Sequence, residues 1–470
     1  MSGFIQPGAR PRQQSEELNR DSGLECFSKL TDGRTNLQLQ GGVAASAGGS
    51  RLERMLVMRA SCFATVAMLL LAGCAQAGTS IPAPRSVGSE AYLMAPLGDV
   101  TFYVDGLKGS DKNDCLSPQS ACKTIQHAVA ISGSGDKIVV APAVYRENVN
   151  VHHGVQIIGA GPDKTIVDAH MNGSGISVAF ATIDVTIAGM TVRNGTGSPD
   201  GGGIYHCFGT ITIDDVVLEG NSVPSTTVDG FGGAMYNCPA STMTIIDSTI
   251  RNNIANAGGA ICNGGVLTII NSTFSGNTAR DLRGGGAVFN YGTLHVANST
   301  FSGNTAAAGV GGAIRNGLLF GLNGGAQIDN STIAGNKAAA GPSPGGGISN
   351  HFGLPIYLQN TIVANNTPQN CGGAPPATEG FNLSNDASCD LDGAGDLNKV
   401  DPRLGGLHDN GGPTQTMALL FLSPAIDGGN RAGCRDWLGH LLKTDQRGLP
   451  RPDQGEPRGC DIGAYERQGQ

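Results

Sequence analysis

The sequence predicts an all-β chain wound as a right-handed parallel β-helix, with a short helical cap at its amino end and an irregular, disulfide-containing cap at its carboxyl end. Three observations carry this. Glycine fills 73 of 470 positions, against ~7% in ordinary globular chains. A diglycine motif recurs at near-regular spacing. The stretches between copies alternate apolar and polar residues in short runs, with no helical period.

The repeats come first because a missed repeat misreads the whole fold. GGGI starts at Gly201, GGAM at Gly232, GGAI at Gly258, GGAV at Gly285, GGAI at Gly311 and GGGI at Gly345, in steps of 31, 26, 27, 26 and 34 residues. A second motif follows: DSTI at Asp247, NSTF at Asn271 and Asn298, NSTI at Asn330, QNTI at Gln359. An asparagine then closes each turn, at Asn221, Asn253, Asn277, Asn304, Asn336 and Asn365. Strands this short cannot bury a face alone, whereas stacked copies can. Stacking places Ile204, Met235, Ile261, Val288, Ile314 and Ile348 in one inward column. Two residues on, and on the same face, His206, Asn237, Asn263, Asn290, Asn316 and Asn350 can bond along the axis, as amide ladders do. Segments from Val149 and Thr182 share the alternation, giving about nine coils at ~4.8 Å each.

The flanking parts divide as follows. Residues 1–54 read as an over-extended start or disordered segment, 55–73 as a signal peptide, 74–100 as a linker, 101–148 as the cap and first coil, 149–370 as the repeats and 371–470 as the carboxyl-terminal region. Residues 62–73 are apolar, too short to span a bilayer, and follow Met58–Arg59, as a secretory segment does. Charged residues are 14% and the net charge is -8. No dense basic face exists for nucleic acid, and neither a heptad coiled coil nor a highly charged disordered chain fits. Twelve cysteines agree with an oxidising compartment. Cys115 with Cys122, Cys371 with Cys389 and Cys434 with Cys460 are close pairs. Cys207 and Cys238 share one repeat position on adjacent coils, within disulfide reach. Cys262 is the odd thiol.

Several motifs carry family resemblances. Leu71-Ala72-Gly73-Cys74 resembles the lipobox of bacterial lipoproteins, which implies acylation of Cys74 and, with Ala75 following, an outer-membrane or cell-surface location. An ordinary signal peptide cut near Ala75–Gly78 is the alternative. TFYVDGLKGSDKNDCLSPQSACKTIQHAV from Thr101 and GDKIVVAPAVYRENV from Gly135 resemble the opening of pectin-lyase-like β-helix proteins, where a helix (here Lys123–Ile131) caps the first coil. The GGAI and NSTF repeats resemble those of polymorphic outer-membrane proteins. DNGGPTQTMAL from Asp409, SPAID from Ser423, DQRGLPRP from Asp445 and DIGAYE from Asp461 are similar to the choice-of-anchor Q domain. That tail is often followed by an anchoring signal. Here four residues follow Glu466, in keeping with an anchor at Cys74.

Sites are read from outward columns. Tyr205, Tyr236, Cys262, Phe289, Arg315 and Ser349 fall in one, where Tyr205, Tyr236 and Phe289 could stack on sugar rings and Arg315 could bond hydroxyls or a uronate; stacked aromatics that only stabilise the sheet are the alternative. Arg193, Glu219 and Arg251 align as a surface charge ladder or, alternatively, a uronate clamp. Asp200, His206 and Asp215 could meet near the first diglycine coil as a weak catalytic set. The repeats hold few acids, Asp214, Asp247, Asp281 and Asp329 among them, and no column pairs two carboxylates as glycosidases need. No cofactor or metal is expected. Asp427, Asp445, Asp461 and Glu466 read as turn acceptors, with a structural calcium as the alternative.

These observations lead to an exported, lipid-anchored, monomeric rod that binds or adheres to polysaccharide or to a host or neighbouring surface, without catalysis. A polysaccharide lyase, epimerase or hydrolase is the second reading. A structural spacer is the third, favoured if loops cover the aromatic column.

Overall fold

The structure is a computed structural model that describes residues 100–179, 184–197, 200–224, 230–341, 344–453 and 459–469. Cys74 and the segments before it lie outside these residues. The described chain is a right-handed parallel β-helix. A 20-stranded sheet wraps two faces of the coil, a nine-stranded sheet forms a third, and a short four-stranded sheet lies beside them. Every neighbouring pair within these three sheets runs parallel.

The predicted register holds rung by rung. Ile204, Met235, Ile261, Val288, Ile314 and Ile348 are direct partners along the nine-stranded sheet, and all are buried. Ile213, Ile245, Ile269, Val296, Ile328 and Leu358 face them across the interior. On the third wall Phe274 stacks on Phe301, ring centroids 4.7 Å apart. The interior is therefore one continuous apolar column, as stacking requires.

Three polar ladders run beside it. In the first, His206 meets Asn237 at 3.0 Å, and the amides of Asn237, Asn263 and Asn290 each donate to the next asparagine at 2.7–2.8 Å. In the second, the side-chain carbonyls of Asn253, Asn277, Asn304 and Asn336 each accept from the backbone N–H and amide of the asparagine one coil earlier. This ladder continues through Asn366, whereas the sequence reading placed it at Asn365. Asn365 instead faces solvent and pairs with Asn385. The third ladder was not anticipated: Ser248, Ser272, Ser299 and Ser331 each accept, through the hydroxyl, the N–H of the coil before. The residue ahead of each serine is left-handed, φ 48–50° at Asp247, Asn271, Asn298 and Asn330. Asn and Asp tolerate that conformation best among side-chain-bearing residues, which explains the D/N-S-T motif.

The amino-terminal cap matches expectation with a later start. The helix spans Ile125–Ile131, is capped by the Thr124 side chain, and buries Ile125, Ala128 and Val129 against the first coil. Both oxygens of Glu147 accept from its first two N–H groups, at 2.9 and 2.8 Å, where a negative charge is favoured. At the other end, coil pairing runs past residue 370, through Gln369–Gly373, Leu383–Ser384 and Leu397–Asn398. The chain then turns back, forms an antiparallel hairpin of Leu404–His408 with Thr416–Leu419, and lies as an arm along the D/N-S-T bend. Thr273 donates to the Gln415 carbonyl, Thr300 to Gln446 Oε1, Asn330 to the Arg435 carbonyl and Asn360 to the Asp461 carbonyl. Leu419, Ala425 and Ile462 bury against Ile362 and Leu383 beneath it.

Candidate functional site

The aromatic column is in register as predicted, but it does not form an open face. Phe231 stacks over Tyr236 at 6.1 Å, and the Tyr291 hydroxyl meets that of Tyr236 at 3.0 Å. Tyr236, Cys262 and Phe289 are buried and Tyr205 is half-buried. Arg315 folds over Phe289, 5.4 Å from the ring, and donates to the Leu282 and Arg283 carbonyls. None of the four glycan-binding residues named from sequence presents a ring or guanidinium to solvent as a platform. The covering groups come from between the repeats: Phe231, Arg283, Tyr291 and Phe320.

The weak catalytic set does not assemble. His206 lies two residues after inward Ile204 and so points inward, fully buried on Asn237, with its pKa lowered by desolvation. Asp200 accepts the Phe231 N–H at 2.8 Å beside the covered aromatics. Asp215 lies on a different sheet, at the left-handed bend with Asp214 and Asp247; its own burial first, and then their charges, raise its pKa. Arg193, Glu219 and Arg251 do align. Arg251 pairs with Glu219 at 2.6 Å, while Arg193 turns to Asp168 at 3.0 Å, which is a surface ladder rather than a clamp.

All four cysteine pairs named from sequence are joined: Cys115–Cys122, Cys207–Cys238, Cys371–Cys389 and Cys434–Cys460. Among the described residues Cys262 is the free thiol, buried, with its pKa raised by desolvation. Among the described residues, one trio of His, Cys and acidic groups is close enough to share an ion, Cys115, Cys122 and His127, and its cysteines are bonded to each other. Three of the tail acids, Asp445, Asp461 and Glu466, have partners within the protein. Asp445 pairs with Arg447 and Glu466 with Arg451, at 2.7 and 2.9 Å, and Asp461 accepts from the Asp427 and Arg467 N–H groups. A notch of about 370 Å³, floored by Gly264, Gly265 and Gly292, offers shape with little chemistry, since its one titratable side chain, Tyr291, is tied to Tyr236.

Chemistry gathers where the arm crosses the large sheet. Asp329 occupies a column filled by Ile246, Ile270 and Ala297 in earlier coils. Its side chain is fully buried. Oδ1 accepts from the Gln327 amide at 2.8 Å, and Oδ2 has no hydrogen-bond partner. The same Gln327 nitrogen donates to exposed Glu379 at 3.0 Å. Desolvation, reinforced by Glu379 and Asp436, pushes the Asp329 pKa up to about 8. One column away, His295 stacks on Trp437 of the arm, centroids 4.9 Å apart and 14° from parallel. Asp436 accepts from the His440 N–H at 2.9 Å and faces its ring at 3.3 Å, which holds the turn that carries Trp437. Exposed Tyr357 follows Gln327 on the next coil. This corner joins one neutral acid, one solvated carboxylate and an indole. The sequence signals for it were an acid following three apolar residues in its column, Ile246, Ile270 and Ala297, and the chain's single tryptophan. Their proximity depends on the arm's path, which no repeat encodes.

No family model and no curated protein matches the chain. Among solved structures it is similar to the pectate lyase Pel9A, at 14% identity and TM-score 0.40 over 79% of this chain and 98% of that one. It is also similar to XylC in complex with xylose, at 12% and 0.36 over 79% and 99%. A pectin methylesterase from Aspergillus niger follows at 13% and 0.32 over 61% and 84%. At these scores the fold rests on the strand registers above, and the activities of those proteins stay with them.

Proposed function

We propose that the protein is an exported rod, held to the bacterial outer membrane or cell surface through lipid on Cys74, that binds glycan at the corner around Trp437. The observation that carries the reading is the indole stacked on His295, whose rung neighbour is Gln327, with Glu379 bonded to that amide and Tyr357 on the coil after it. An aromatic face with a few polar groups beside it suits a sugar ring. The lipobox, the GGAI repeats and the Q-like tail support a surface location, and the low basic content argues against nucleic-acid partners. The covered aromatic column favours the spacer reading for that face of the rod alone.

Because Trp437 is the single tryptophan, its fluorescence reports this site. Titration with neutral and uronate-containing oligosaccharides should give a saturable change, lost in Trp437→Phe when binding is followed by calorimetry. No response to any of them, by fluorescence or calorimetry, would remove the reading. Labelling with radioactive palmitate tests the anchor: incorporation should vanish in Cys74→Ser.

A further inference from the structure

We propose that this corner also cleaves the glycan it holds, with Asp329 as proton donor to the departing oxygen and Glu379 as nucleophile on the anomeric carbon. The inference rests on the binding reading above and adds a reaction to it. One amide nitrogen, Gln327 Nε2, bonds to both carboxyl groups, which bounds the separation of the bonded oxygens at about 6 Å, compatible with the roughly 5–5.5 Å of paired acids in retaining glycoside hydrolysis and short of the wider inverting spacing. The two groups differ in environment as that chemistry demands. Asp329 is buried, lies near the negative charges of Glu379 and Asp436, and keeps its proton at neutral pH. Glu379 is open to solvent.

The second observation is the free oxygen. Asp329 Oδ2 is buried with no partner, and an unsatisfied buried polar atom in a native fold calls for an explanation, a catalytic role among them. A carboxyl group buried with one oxygen unpaired costs stability relative to the apolar Ile246, Ile270 and Ala297 that fill the position in the three coils before. Groups kept at such cost cluster at functional sites. The Asp436–His440 turn, closed on itself by the Leu438 and His440 N–H groups, lies near enough for the Asp436 charge to act on Asp329, and it must move for a substrate to reach the buried carboxyl group.

The steps balance without a cofactor. A Glu379 oxygen bonds to the anomeric carbon as the bond from that carbon to the leaving oxygen breaks, and the Asp329 proton goes to that oxygen. Water then returns a proton to Asp329 while its oxygen displaces Glu379 from the carbon. The anomeric configuration is retained.

The test uses the full exported chain, the same oligosaccharides and water enriched in oxygen-18. Mass spectrometry should show one heavy oxygen at each new reducing end. Asp329→Asn and Glu379→Ala should each slow release by at least about a hundredfold. Azide should restore turnover in Glu379→Ala as a glycosyl azide of inverted configuration, which a merely structural glutamate would not allow. Glu379 is exposed, so this variant should fold. Saturable tryptophan binding with no product overturns cleavage and leaves the binding reading intact, whereas no binding removes both. Unsaturated uronate products without heavy oxygen, or activity unchanged in Glu379→Ala, also overturn the proposal.

Discussion

Asp329→Asn is the sharpest probe of the corner. In the unfolded chain this carboxyl group titrates near 3.8, and in the fold burial raises its pKa to about 8. The sign follows from linkage. Below the unfolded value both states are protonated and the group costs nothing by ionisation. As pH rises toward 8 the unfolded state loses its proton first, so native stability falls. The slope is about 1.4 kcal/mol per pH unit, and by pH 7 it amounts to about 4 kcal/mol. Asparagine keeps an acceptor for Gln327 and does not titrate. The stability difference between Asp329→Asn and the parent should therefore widen in the variant's favour by about 4 kcal/mol from pH 4 to pH 7. Urea unfolding read by Trp437 fluorescence across that range measures it. Parallel pH profiles for the two proteins would refute the reasoning.

Four further outcomes follow from the packing. Asn277→Ala removes an amide that donates to the Ile250 carbonyl and to Asn304 while accepting twice from Asn253, so it should cost about 3 kcal/mol in chemical denaturation. Cys207→Ser with Cys238→Ser opens a bridge across a separation of 31 residues and should cost about 3 kcal/mol. Gln446→Ala breaks bonds to Thr273, Thr300 and Thr414, and limited proteolysis should then cut the arm faster than in the parent. Arg251→Ala should change stability by less than about 0.5 kcal/mol, because its partner Glu219 and the arginine itself are both partly solvated.

The rod was legible where the chain repeats. A side chain's place in a repeat fixes its face and its vertical neighbour, so the Ile204 column and the asparagines above His206 could be assigned from spacing alone. The serine ladder was equally present in the D/N-S-T motif, yet its meaning depends on a left-handed residue at each bend, which composition does not reveal. What lay beyond reach was set by segments outside the repeat. Phe231, Arg283 and Phe320 cover the aromatic column from inter-coil loops, turning a predicted platform into a second core. His295 and Trp437, more than a hundred residues apart in sequence, meet only because the arm folds back. His206 was misplaced as a catalytic candidate although its register with Ile204 already placed it inside.

In a solenoid each coil feels its immediate neighbours, and melting can begin anywhere along it. The arm changes that for one stretch. By fastening itself to Thr273, Thr300, Asn330 and Asn360, it splints four successive coils into a single cooperative block. Amide exchange should accordingly be slow and uniform beneath the splint, and graded toward the unsplinted coils that precede it.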